Sequence, residues 1–228
     1  MKFRKVTHVI FDMDGTILET ESIYQRILGG IANDWGQEYS HEIQLKILGT
    51  PEQDTAKIFL KELQIPLSTE EFLDVYHKRM HEELQHPTFM PGAEKLIRHL
   101  SKHKVPIAIA TSASKFSYEL KVKNHQEVFQ LFHHVVCGTS DPEVKNGKPA
   151  PDIFLICASR FPDKPNPNDI LVLEDAPNGI KGASAAGMLS VLIPERGLAE
   201  EHRKQADLVL NSLEEFQPEL FGLPPFDD

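Results

Sequence analysis

"THVIFDMDGTILET", residues 7–20, decides the fold. Its apolar run closes on two aspartates separated by one methionine, and Gly15 follows at once. A short apolar run ended by a glycine turn reads as a strand buried on both faces. In an extended backbone Asp12 and Asp14, two apart, aim to the same side, while Gly15 permits a sharp exit. A lone Asp-x-Asp is more often an acidic turn with a helix cap, so the rest of the chain must decide between a turn and chemistry.

Further apolar, β-branched runs lie at 105–111, 133–138, 169–174, 188–193 and 206–210, with helical patterns between most of them, including 92–103 and 177–187. This rhythm predicts an α/β fold, a doubly wound Rossmann-like parallel sheet covered by helices on both faces. About ninety residues separate the first strand from the second, where an ordinary crossover needs a few dozen. Between them the periodicity is helical, at 21–35, 40–49, 51–63 and 68–84, with Ser68 and Glu71 at capping-box spacing. The expected division is a catalytic core of residues 1–18 and 85–228 with a helical cap, residues 19–84, inserted after the first strand. Its borders, near Thr16–Thr20 and in "QHPTFMPG" (85–92), read as a hinge pair. The pattern supplies no reason for Gly29–Gly30 inside the first cap helix, where each glycine costs about 1 kcal/mol against alanine. The Phe- and Pro-rich tail, 215–228, reads as irregular packed chain.

The chain of 228 residues is 40% hydrophobic and 25% charged, ordinary globular composition. A formal net charge of −10 opposes binding to nucleic acid or to an anionic membrane and favours small-molecule chemistry. Cys137 and Cys157 sit in apolar runs without Cys-x-x-Cys spacing and read as buried free thiols of a reducing compartment. The basic start "MKFRKV" leads into "FDMDG" rather than a long apolar stretch, so the expectation is a cytoplasmic protein, and a monomer is expected as well.

Ligands of an open parallel sheet bind beyond the carboxyl ends of its strands. Those ends carry Asp12 and Asp14, then Thr111 and Ser112, then Glu174 and Asp175, with Lys148 in "GKPAPD" (147–152). Asp12, nearest the strand, is the candidate nucleophile toward phosphorus, and Asp14 the candidate acid and base. Four carboxylates on one rim call for a cation, and hard oxygen donors beside a phosphate favour Mg²⁺. Lys148 is expected to hold Asp12 ionised and to offset phosphoryl charge, and is favoured over Lys145 because Pro149 and Pro151 stiffen the backbone after it. Thr111 can donate its hydroxyl to a phosphoryl oxygen. The eleven histidines read as scattered, without His-x-x-x-His or His-x-His metal spacing, and His133–His134 at a strand start reads as structural; no P-loop or Gly-x-Gly-x-x-Gly occurs.

"FDMDGT", Thr111, "GKPAPD" and "LEDAPNG" together resemble the four motifs of the haloacid dehalogenase superfamily, in its phosphatase branch. The resemblance implies that Asp12 is the nucleophile and Asp14 the acid/base. Thr111 and Lys148 then clamp the phosphate, with Gly15 and Ser112 beside them. It further implies that Asp175, Asp12 and the Asp14 carbonyl hold Mg²⁺, with Glu174 as an additional ligand. Over the whole chain, "MPGAEKLI", "DPEV", "GKPAPDIF", "EDAPNG" and "FQPELFGLP" look like the pseudouridine-5'-phosphatase group of that superfamily, which implies pseudouridine 5'-phosphate as substrate. Glu19 departs from that group's commoner Asp, and "TSASKFSYE" (111–119) bears on the substrate rim. A β-phosphoglucomutase-like phosphotransferase or a sugar-phosphate phosphatase shares all four motifs. A receiver-type signalling module also clusters Asp, Thr and Lys on an α/β sheet, but it puts its phosphoacceptor after the third strand, where only Asp141 stands here.

Overall fold

A computed structural model describes residues 3–47, 50, 52–194 and 198–227. Its strands are β1 (His8–Phe11), β2 (Leu18–Glu19), β3 (Thr88–Phe89), β4 (Ile107–Thr111), β5 (Val135–Cys137), β6 (Ile170–Glu174), β7 (Leu189–Leu192) and β8 (Leu208–Val209). Six of these described strands form one sheet in the order β5-β4-β1-β6-β7-β8, and every neighbouring pair is parallel. Each apolar run of the sequence therefore supplies one strand of a doubly wound sheet, shortened at its ends. β2 and β3 form a separate antiparallel ribbon that the expected irregular borders do not contain. Two-residue strands are too short to leave a periodicity in sequence.

The helices are α1 (Glu21–Asp34), α2 (His41–Ile47), α3 (Glu52–Glu62), α4 (Thr69–Glu83), α5 (Ala93–Lys102), α6 (Lys115–Val122), α7 (Gln126–Phe129), α8 (Asp152–Ser159), α9 (Pro177–Ala185) and α10 (Glu200–Arg203). The chain divides into two compact units, Met1–Glu19 with Thr88–Asp228, and Thr20–Pro87. In the sheet unit, strand alternation sends Val9, Phe11, Ile109 and Leu173 into one core layer with Leu96 and Leu100 of α5. Ile10, Ala110 and Val172 enter the other, with Phe154 and Cys157 of α8 and Ala183 of α9. The tail stays out of the sheet and makes two short 3₁₀ turns, Leu213–Glu215 and Pro218–Phe221, with Phe216 and Phe221 stacked at 5.6 Å.

The helical unit packs Ile27 and Ile31 of α1, Phe59 of α3 and Phe72, Tyr76 and Met80 of α4, all buried. The Ser68 side chain accepts from Glu71 N at 3.2 Å and Glu71 accepts from Ser68 N at 2.8 Å, a capping box that starts α4. The ends of two expected helical segments, Leu48, Gly49 and Pro51, lie outside the described residues.

Candidate active site

β1 and β6 are neighbours in register, Phe11 against Leu173, and Asp12 N donates to Leu173 O at 2.9 Å. The next residues, Asp12 and Glu174, thus fall side by side where the strands end, on the face that carries Ile10 and Val172. Lys148 completes the pair: its Nζ lies 2.6 Å from Asp12 Oδ1, 2.6 Å from Glu174 Oε1 and 3.0 Å from the Ala110 carbonyl. An ammonium has three protons, and all three are directed. Its rival Lys145 is exposed and donates to Pro142 O at 2.6 Å.

Glycines make room for the acids. Gly15 has φ +76°, and a Cβ there would stand 2.1 Å from Asp175 Oδ2. The glycine that turns the chain out of β1 is thus also the floor on which the Asp175 carboxylate rests. Gly179, in the first turn of α9, does the same for Glu174, since a Cβ would meet Glu174 Oε1 at 1.8 Å. The other Glu174 oxygen accepts from the backbone N–H groups of Asp175 and Ala176, at 3.1 and 3.0 Å. Glu174 therefore anchors Lys148 to the start of α9.

The Asp14 carboxylate turns to a different partner, Lys121 Nζ at 2.5 Å. Lys121 is completely buried on α6 beside Leu120. Sequence reasoning misses it, because its only signal is one lysine in a segment with two others, Lys115 and Lys123. Thr111 ends β4 fully buried, and its Oγ1 accepts from Ala113 N at 3.1 Å. Ser112 follows, exposed on the rim. In "TSASKFSYE" Ser114 caps α6 by accepting from Ser117 N at 3.2 Å. Asp141 is tied bidentately to Arg160 at 2.6 and 3.0 Å, which holds its carboxyl below the ordinary range.

Burial pushes the Asp12 carboxyl up to about 7; the Lys148 charge opposes this, while Glu174 and Asp14 add to it. Asp175 is raised as well, first by burial and then by Glu174 and Asp12. Burial alone would drive the Lys148 ammonium down, but Asp12 and Glu174 overcome it and the group is raised. Asp12, Glu174 and Asp175 each bring a carboxylate oxygen to within 4.8 Å of one another. Four carboxylates against two ammonium groups leave two excess negative charges when all are ionised. An all-oxygen donor set with that charge fits a small divalent cation such as Mg²⁺.

A family model described as haloacid dehalogenase-like hydrolase matches residues 9–193. The chain is 45% identical over 225 residues to the Drosophila melanogaster protein named "Probable pseudouridine-5'-phosphatase", covering 99% of this chain and 97% of that one. It is 43% identical over 226 residues to "(DL)-glycerol-3-phosphatase 2" of Arabidopsis thaliana, covering 98% and 94%. Among solved structures, a haloacid dehalogenase family hydrolase from Deinococcus radiodurans R1 with bound phosphate and sodium shares the fold, at TM-score 0.79 and 23% identity over 98% of this chain and 100% of that one. Strand-end acids, a buried lysine between them and these relatives agree: the chain is a phosphoric monoester hydrolase that belongs to the haloacid dehalogenase-like hydrolase family.

Proposed function

We propose that the protein hydrolyses pseudouridine 5'-phosphate to pseudouridine and inorganic phosphate through an aspartyl-phosphate on Asp12. The observation that carries the mechanism is the three-way grip of Lys148 on Asp12, Glu174 and the Ala110 carbonyl. Asp12 attacks phosphorus, Asp14 protonates the leaving oxygen, and Asp14 then takes a proton from the water that cleaves the acyl phosphate. Lys148 offsets charge on the equatorial oxygens, and Thr111 and Ser112, with Gly15, line the phosphate position. Asp12, Asp175 and the Asp14 carbonyl would hold Mg²⁺, with Glu174 adjoining; the ion supplies further charge neutralisation of the phosphoryl group when bound.

These groups read only the phosphate, so the helical unit Thr20–Pro87 is assigned the discrimination among leaving groups. Buried free thiols at Cys137 and Cys157 suit a reducing, cytoplasmic compartment. No described helix is long and apolar enough to cross a membrane.

The substrate rests on full-length similarity to the Drosophila protein. The Arabidopsis relative, only slightly less similar, favours glycerol 3-phosphate as the second reading. A panel of kcat/KM values decides between them: pseudouridine 5'-phosphate, UMP, glycerol 3-phosphate, sugar phosphates and β-glucose 1-phosphate, the last with product analysis for phosphoryl transfer. Pseudouridine 5'-phosphate is expected to lead UMP by at least about tenfold, which needs about 1.4 kcal/mol of transition-state discrimination. A preference for glycerol 3-phosphate or a sugar phosphate would overturn the substrate and leave the mechanism standing. An Asp12→Asn chain that still turned over would overturn the mechanism.

A further inference from the structure

The histidines are not all scattered: contrary to the expectation above, the chain carries His-x-x-x-His spacing twice. Two pairs stand four residues apart on helices, His77–His81 on α4 and His99–His103 on α5. That spacing places both side chains of a pair on one helix face. At the second pair the C-terminal tail adds an oxygen: one ring nitrogen each of His99 and His103 and a carboxylate oxygen of Asp227 lie within 4.8 Å of one another. Among the described residues, Asp12, Glu174 and Asp175 are the other such group.

We propose that His99, His103 and Asp227 form a second metal site, for a divalent transition metal of the zinc type, that staples the C-terminal tail to α5. The first support is the tautomer of His99. Its Nε2 lies 2.9 Å from the Pro224 carbonyl oxygen, which only accepts, so Nε2 carries the proton and the lone pair stands on Nδ1. Metal-bound imidazoles ordinarily donate their second nitrogen to a carbonyl or carboxylate in this manner. The second support is spacing. His103 Nε2 and Asp227 Oδ1 are 3.3 Å apart. A charge-assisted hydrogen bond is shorter, about 2.7–2.9 Å. An edge of about 3.3 Å is what a tetrahedral cation with bonds of about 2.0–2.1 Å sets between two ligands.

The third support is that the tail is held in place before any metal binds. The Phe226 ring packs 4.6 Å from the His99 ring and takes the Lys95 ammonium at 4.6 Å. Lys102 donates to Asp227 Oδ2 at 2.8 Å, which turns Oδ1 toward His103. Two imidazoles and one carboxylate suit zinc, nickel or copper(II), whereas Mg²⁺ takes oxygen donors. The Lys102 charge, and three rather than four side-chain ligands among the described residues, make the site weaker than a structural zinc site of four side chains.

Calorimetric titration of the whole chain with zinc chloride, in saturating Mg²⁺, tests the site. Wild type is expected to bind an equivalent that Asp175→Asn keeps and that His103→Gln and Asp227→Asn weaken by about tenfold or more. His103 and Asp227 side chains are 29% and 52% exposed, so both variants should fold, and phosphatase activity measured alongside reports this. Imidazole ¹⁵N NMR of the wild type supplies an arm that needs no variant: zinc should shift His99 Nδ1 and the His103 nitrogens and leave His77 unmoved. Unaltered zinc binding in His103→Gln, or no zinc-dependent shift of His99 and His103, would refute the site.

Discussion

Gly179 has no side chain, and the geometry of Lys148 depends on that. A methyl group there would displace the Glu174 carboxylate, which holds one of the three Lys148 protons and the backbone N–H groups of Asp175 and Ala176 just before α9. Gly179→Ala should therefore cost about 1–3 kcal/mol of stability, as overpacking does, and lower kcat by about tenfold or more. Thermal unfolding and steady-state kinetics check it, and a variant unchanged in both would show that Glu174 has room to spare. Asp12 gives a pH signature. Its native carboxyl, raised by burial to about 7, exceeds the unfolded value of about 3.9. Between these values the native chain holds a proton that the unfolded chain has released. The resulting stabilisation is complete below about pH 4 and is lost as pH rises through about 7. In EDTA the wild type should thus lose stability from pH 5 to 8, on the order of a kcal/mol or more, and Asp12→Asn should lose less. Urea midpoints measured at pH 5, 6.5 and 8 compare the two slopes; equal slopes would remove Asp12 as the cause.

In α1 the adjacent glycines have different reasons. A Cβ on Gly30 would meet Arg79 Nη1 at 2.2 Å, whereas nothing lies within 4 Å of one on Gly29. Arg79, from α4, crosses over Gly30 to pair with Asp34 at the end of α1. Gly30 is thus a crossing point between helices, and Gly29 only a flexible residue in a helix interior. Gly29→Ala should stabilise the helical unit by about 0.5–1 kcal/mol, while Gly30→Ala should gain nothing because it pushes the guanidinium from Asp34. Urea unfolding followed by far-UV circular dichroism separates them; equal gains would deny Arg79 its place in the account. The capping box at Ser68 belongs to the same scale but needs no tertiary partner, and it is readable in sequence for that reason.

At the scale of the molecule, the ends of the helical unit meet. Glu19 pairs with Thr88 across the β2–β3 ribbon, so the chain enters and leaves the insert at adjacent points of the sheet unit. Replacing residues 20–87 by Asn-Gly would close that ribbon as a two-residue hairpin. The shortened chain should fold, keep divalent-metal binding at the Asp12 cluster, and lose discrimination between pseudouridine 5'-phosphate and other phosphate esters. A kcat/KM panel on it that still ranked substrates as the full chain does would place specificity in the sheet unit.

The strands and the strand-end acids were legible because they are local: a continuous apolar run is buried on both faces whatever lies beside it, and Asp12, Asp14, Glu174 and Asp175 follow such runs closely. The parallel sheet, the candidate acids and Lys148 could thus be written down from residue order alone. What the tertiary structure decided was which distant groups those acids meet. Lys121 reaches Asp14 from 107 positions away, Glu174 settles on Gly179 and takes Lys148, and Asp227 returns to α5 across 124 residues to stand beside His103. Such pairings leave no periodicity, because they are set by packing among helices and turns whose relative placement no short stretch of sequence encodes.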